Sequence, residues 1–221
     1  MESKINKVAI CLSRLDNIKQ WLELDTINKE SVSQHSLKVA AFAAVLLEEV
    51  FDKDTLEYDY KLLDFSKDVI LHAIFHDFDE ALILRDLSHE VKYNEYNGEF
   101  LRNGLNSYAM YEFYRMFMPD DKLKDEPESK VERMLYNSFF AKNNAVKSFV
   151  KFCDWLAMCM FVSRELRLGN KNINDKVRNC KTGIKIAGAN LISALKQADL
   201  GSFNEEPIKY AIYLVTNFKI E

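Results

Sequence analysis

His35, the adjacent pair His76 and Asp77, and Asp154 are the residues whose types and surroundings suggest chemistry. Each lies among apolar residues spaced like the buried face of a helix, and imidazole and carboxylate groups are costly to bury unless something compensates them. One divalent cation would compensate all four. Two imidazoles with two carboxylates suit Mn, Fe, Co, Ni or Zn better than Mg or Ca, which favour all-oxygen shells. Four protein ligands in an octahedral shell leave two positions for water or a phosphate oxygen. The reaction class suggested is metal-dependent hydrolysis.

Taken singly, each residue has a plainer explanation. Asp154 has Val150, Ala157, Met158, Phe161 and Val162 as helical neighbours, so its carboxylate projects from an apolar stripe. A salt bridge to a nearby Lys or Arg, or protonation with a raised pKa, would also answer that. His35 alone reads equally as a hydrogen-bonded core histidine. The joint pattern favours the metal, because three independently placed polar groups would otherwise each need a separate explanation. Glu80, one turn past the His-Asp pair, is positioned to take a proton from an attacking water; the alternative is an exposed acid at a helix end. Asp79 is the more solvent-facing of the two. His72, one turn before His76, is given a packing or supporting role, and His89 a solvent-exposed one. Trp21 offers an aromatic face for a base, or a core contact beside the first helix. Lys92, in V-K-Y, is a candidate phosphate contact.

The elements that would carry these residues are helices. Only 6 Gly and 3 Pro leave few residues for hairpin turns. The expected fold is all-α. The first helix runs from about Lys4 to Leu15 with Val8, Leu12 and Leu15 on one side, and a polar loop follows to Glu30. Ser31-Val-Ser-Gln34 has the form of a capping box, which places His35 in the first turns of a second helix. A third spans about Asp59 to His76, so the His-Asp pair falls at its C-terminal end, where a site can open. Tyr93 to Asn103 reads as irregular, Gly104 to Met118 as an aromatic-rich helix, and 119–129 as a charged, solvated loop. Further helices are expected at about Lys130 to Phe140, Ala145 to Leu168, Ile173 to Ala198 and Glu206 to Phe218. Gly169 would cap the Asp154 helix in the left-handed region.

With 221 residues, 48% hydrophobic and 29% charged, the chain has the composition of one soluble globular domain over 1–221. The motif-bearing region covers about 12–170, with the helices of 171–221 packed on it. A net charge of −4 gives no footprint for a nucleic-acid polymer or an anionic membrane. A small phosphate ester is not excluded. No signal peptide or membrane span is read from the sequence, so a cytoplasmic protein is expected. Cys11, Cys153, Cys159 and Cys180 lack C-x-x-C spacing and read as buried packing residues.

S-V-S-Q-H-S, then F-H-D-F-D-E, then V-K-F-C-D-W-L with R-E-L-R-L-G-N beyond it, resembles the HD-domain phosphohydrolase pattern, and within it the YfbR-like 5′-deoxynucleotidases. Also similar are L-S-R-L near the start, Trp21 upstream of the first His, and D-L-S-H-E-V-K-Y after the pair. The resemblance implies a helical fold, His35, His76, Asp77 and Asp154 as ligands of one divalent transition metal, and Glu80 as the carboxylate that orients or activates water. It implies a nucleotide substrate, with Asp86 near the sugar, and dimers are common among similar proteins. Tyr108 to Phe117 and the helices after 170 are the faces a homodimer could bury. Two departures stand out. Gln20 replaces the Arg that similar proteins place before the Trp to hold the phosphate, so that contact is lost or supplied by Arg14, Lys19 or another base. The segment A-L-I-L-R before Asp86 is one residue longer and lacks Gly. The expected activity is hydrolysis of a deoxynucleoside 5′-monophosphate. Triphosphate release from a deoxynucleoside triphosphate is the alternative reaction, and a non-catalytic nucleotide-binding regulator the alternative of another class.

Overall fold

The computed structural model describes residues 4–21, 24–52, 59–83, 108, 111–113 and 143–217. Regular structure among them is entirely helical, apart from an isolated antiparallel bridge between Lys19 and Ser31. In order, the helices are α1 (Lys4–Asn17), α2 (Val32–Val50), α3 (Tyr60–Phe75), α4 (Phe78–Ile83), α5 (Asn144–Arg167), a 3-10 turn (Lys171–Ile173), α6 (Asn174–Gln197) and α7 (Glu206–Thr216). No helix among the described residues is long and apolar enough to cross a membrane.

Local chemistry sets the helix ends. Ser31 caps α2 through the capping box read from the sequence, its side chain accepting from Gln34 N while the Gln34 side chain accepts from Ser31 N. Asp59 caps α3 by accepting from Lys61 N at 2.8 Å and Leu62 N at 3.3 Å, and Asn143 caps α5 by accepting from Ala145 N at 2.8 Å. Gly169, at φ 87°, ends α5 in the left-handed region as expected.

The main core joins α2, α3, α5, α6 and α7. On α2 the buried residues Val32, His35, Ser36, Val39, Ala40, Ala43, Leu46, Leu47 and Val50 recur at three- and four-residue steps, so His35 lies in the same stripe as the apolar packing. Close approach of α6 to α5 depends on Gly183, where an added Cβ would come within 2.4 Å of the Trp155 ring. A second cluster packs Cys11, Leu15 and Ile18 against Val32, Phe78, Ala81, Leu82 and Phe113. It fixes α4 against α1.

Several details differ from the sequence expectations. Cys11, not Leu12, continues the buried stripe of α1: Cys11 is fully buried and Leu12 is 38% exposed. A cysteine packs as a small hydrophobe, and the 8, 11, 15 and 8, 12, 15 spacings fit the helical period equally, so packing against Val32 and Phe78 decides which residue is buried. Within the aromatic segment 108–117, Phe113 is core while Tyr108 and Tyr111 are exposed. All four cysteines are free and buried. The expectations for 93–103, 119–129 and 130–140, and most of 104–118, fall outside the described residues.

Candidate metal centre

Three elements converge on one site. His35 comes from the first turn of α2, His76 from the C-terminal cap of α3, and Asp154 from the middle of α5. A nitrogen from each imidazole and an Asp154 oxygen all lie within 4.8 Å of one another. Thus the first histidine and the last aspartate, 119 positions apart, meet: His35 Nε2 is 3.0 Å from Asp154 Oδ1. Asp77 stands beside this trio rather than within that mutual spacing, its Oδ2 3.1 Å from His76 Nε2.

His76 is oriented by the end of its own helix. Its Nδ1 donates to the Ala73 carbonyl at 2.9 Å, satisfying one of the carbonyls a helix C-terminus leaves without a partner. A carbonyl can only accept, so Nδ1 carries the proton and Nε2 of the neutral ring presents a lone pair. Nε2 is buried and pairs with Asp77 Oδ2 at 3.1 Å, outside good hydrogen-bond geometry.

His35 lies between two carboxylates. Glu30 Oε1 is 3.6 Å from Nδ1, while Asp154 is on Nε2. Glu30 is itself buried and pairs through Oε2 with Lys38. Asp154 Oδ2 also accepts from Lys151 Nζ at 2.7 Å. The salt bridge considered for Asp154 is therefore present, alongside the convergence on two histidines.

Charge at the site follows from these contacts. Burial disfavours charge on His35, but Asp154, Glu30 and Asp77 outweigh it and push the imidazole up to about 10. His76 is raised as well, against burial, by Asp77 and Asp154. Burial would raise Asp154, yet Lys151 and His35 hold it well below the usual carboxylate range. Glu30 is lowered in the same way, His35 and Lys38 overcoming its burial. The carboxylates are ionised and concentrated, and positive charge is what balances them.

These residues fit a divalent transition metal. Atoms bound to one ion at about 2.1 Å on perpendicular axes stand about 3 Å apart. The His35–Asp154 and His76–Asp77 separations of 3.0 and 3.1 Å match that spacing. The mixed nitrogen and oxygen donors, the His76 Nε2 that the Ala73 contact leaves facing the site and the carboxylate behind His35 suit the same class of ion.

Of the other candidate residues, Trp21 packs against this centre and Glu80, in α4, follows Asp77. Glu80 is fully buried in α4, its backbone N donating to Asp77 O at 3.1 Å. It is not the exposed helix-end acid of the plainer reading, and Asp79 is the more exposed of the pair. His72 is buried. Trp21 meets His35 edge-on with ring centroids 5.7 Å apart and stacks on Phe161 at 5.6 Å. Its backbone φ of 62° is unfavourable for a bulky side chain, so packing must hold it there. Gln20 N donates to Glu30 O at 2.8 Å, while its side-chain oxygen is buried without a hydrogen-bond partner. Asp86, His89 and Lys92 lie outside the described residues. Sequence reasoning missed Glu30, Lys151 and Glu165. Glu165 could have been found, since it continues the buried stripe of α5 four residues beyond Phe161.

Comparison with known proteins identifies the family and the fold. The family model described as 5′-deoxynucleotidase YfbR-like matches residues 8–195, from α1 through nearly all of α6. The chain belongs to the YfbR-like 5′-deoxynucleotidase family. It is a hydrolase, and more specifically a metal-dependent phosphohydrolase. The fold is shared with the PH0347 protein of Pyrococcus horikoshii OT3, at 22% identity and a TM-score of 0.54, covering 95% of this chain and 99% of that one. It is also shared with an HD-domain phosphohydrolase (lin2634) of Listeria innocua, at 15% identity and a TM-score of 0.55, covering 97% and 98%. No curated protein matches significantly.

Proposed function

We propose that this chain, acting as a single domain in the cytoplasm, hydrolyses the phosphate ester of a deoxynucleoside 5′-monophosphate to the nucleoside and phosphate. His35, His76, Asp77 and Asp154 would hold one divalent cation of the Mn, Fe, Co, Ni or Zn class. The observation that carries this reading is the meeting of His35, His76 and Asp154, with Nδ1 of His76 engaged by the Ala73 carbonyl so that Nε2 is the atom left to face the ion. When bound, the cation supplies Lewis acidity that polarises the ester and makes water a stronger acid.

The protein's own groups do the rest. Glu80 takes the proton from the attacking water; its burial, one turn past Asp77, suits a base that must hold position. Trp21 lends its ring edge or face to the substrate next to His35. Asp86 is assigned to the sugar and Lys92 to the phosphate, with Gln20 at the position where similar proteins keep an Arg. That substitution favours one second reading, release of triphosphate from a deoxynucleoside triphosphate, because an Arg contact to a monophosphate is missing.

A panel of deoxynucleoside mono- and triphosphates, incubated with Mn²⁺ or Co²⁺ and analysed for the released ion, separates the two. Orthophosphate from monophosphates is expected. Triphosphate as the product would reject the proposal.

A further inference from the structure

The face of α5 that carries Asp154 continues toward its C-terminus through Phe161 and Glu165, at steps of seven and eleven residues. Phe161 stacks on Trp21 with an interplanar angle of 21°. Glu165 is fully buried. It accepts from Ile27 N at 2.7 Å, Asn28 N at 2.8 Å, Asn28 Nδ2 at 3.0 Å and Asn170 Nδ2 at 2.8 Å. Asn170 Nδ2 also donates to Asp25 O at 2.8 Å, tying a second point of the same segment to the end of α5. A carboxylate offers about four acceptor sites, and Glu165 fills its own with neutral N–H donors. Such a group is held in one state and does no proton chemistry.

The clamped segment leads directly to the centre. Residues 25–28 run into Glu30, whose Oε1 faces His35 Nδ1 at 3.6 Å, an ion-pair separation longer than a hydrogen bond. Below Glu30 the chain is fastened by Gln20 N donating to Glu30 O at 2.8 Å and Val32 N donating to Ile18 O at 3.0 Å. Glu30 is therefore held at its backbone on one side and by the clamped segment on the other. A carboxylate behind a ligating histidine fixes its ring and tautomer and raises its basicity, and loss of such a partner costs about 10–100-fold in metal affinity.

We propose that Glu165, with Asn170, is a positioning residue for the metal centre: it clamps residues 25–28 to α5 so that Glu30 stays on Nδ1 of His35 and Nε2 is turned toward Asp154. The inference rests on the reading of His35 as a metal ligand. One helix would then supply a ligand, Asp154, and also set the orientation of another ligand through a segment 137 residues away in sequence.

The test is calorimetric titration of the full chain with Co²⁺, with the Co²⁺ absorption spectrum recorded in parallel, for wild type, Glu165→Gln, Glu30→Gln and the double variant. Glu165→Gln puts an amide donor where donors already converge. It is expected to weaken Co²⁺ binding about tenfold and to shift the spectrum, and the double variant is expected to bind no more weakly than Glu30→Gln alone. If Glu165→Gln lowers Tm but binds Co²⁺ like wild type, Glu165 is merely structural and the proposal is wrong. Additive losses in the double variant would also overturn it, because the two residues would then act separately. Wild type that fails to bind Co²⁺ rejects the metal reading itself, a different and distinguishable failure. Should Glu165→Gln not fold, Asn28→Ala removes one side-chain donor and leaves both backbone donors. A weakening of about threefold supports the clamp, and unchanged affinity overturns it.

Discussion

Asp154 and Glu165 lie on the same face of α5, both in largely buried surroundings, and they differ in what surrounds the carboxylate. Glu165 is saturated by four neutral N–H donors from the 25–28 segment and Asn170. Asp154 faces His35 and Lys151, both able to carry positive charge, with His76 close by. Neutral donors fill a carboxylate's acceptor sites and fix it in place, leaving no lone pair for a cation. The charge of Asp154 is balanced instead by Lys151 and by an imidazole that can give up its proton, a role a divalent cation can take over. Burial alone therefore does not distinguish a reactive acid from a structural one; the partners do.

Replacing Glu80 should give the largest effect confined to turnover. For Glu80→Ala, kcat is expected to fall by about 10²–10⁴ with metal content retained, as for loss of a general base. Loss of metal together with activity would instead put Glu80 among the groups that build the centre.

At the saturated end, Glu165→Ala should act mainly on stability. It leaves buried donors without an acceptor, and a loss of about 3 kcal/mol in denaturant unfolding is expected. The donors also hold the Glu165 carboxyl below its ordinary value of 4.5, Asn170, Asn28 and Ile27 overcoming burial. A lowered native pKa contributes stability that is complete above the unfolded value and is lost as pH falls through the native one. Tm of Glu165→Gln should therefore lie well below wild type at about pH 7, with the gap narrowing under acid conditions below about pH 4. A gap of constant size would argue against the charged clamp.

The smallest effect is expected where neither carboxylate is involved. Gly183→Ala forces a Cβ against Trp155 and should cost about 1–2 kcal/mol by overpacking, with metal affinity unchanged. A change in affinity would mean that α5–α6 packing, rather than the polar face of α5, governs the centre.

The helices and their caps were legible because they depend on neighbours in sequence. Ser31 with Gln34 and Gly169 after α5 each act within a few residues, and Asp59, read as the first residue of its helix, is instead its cap. The trio was legible because a polar residue in an apolar stripe is conspicuous: His35 among Val32 and Val39, Asp154 among Val150 and Phe161. Glu165 was conspicuous as an acid in a buried stripe, but the clamp it forms was not legible, since that comes from contacts between an irregular segment and a helix more than 130 residues later; Glu30 was not legible because it lies in that irregular segment, before α2 begins. No periodicity encodes such a contact. Lys151 was one turn from Asp154 and could have been named as its partner, but spacing alone does not say whether a surface Lys reaches inward. Asp86 and Lys92, carried by resemblance, lie outside the described residues.

The central claim is that side chains from α2, α3 and α5 share one ion, and metal content tests it most directly. Protein purified without chelator, as wild type and as Asp154→Ala, is analysed for transition metals. The account predicts about one equivalent in wild type, consistent with a single site built from these donors, and its loss in the variant. Equal metal content in the two proteins, or none in wild type after incubation with Mn²⁺ or Co²⁺, would contradict it.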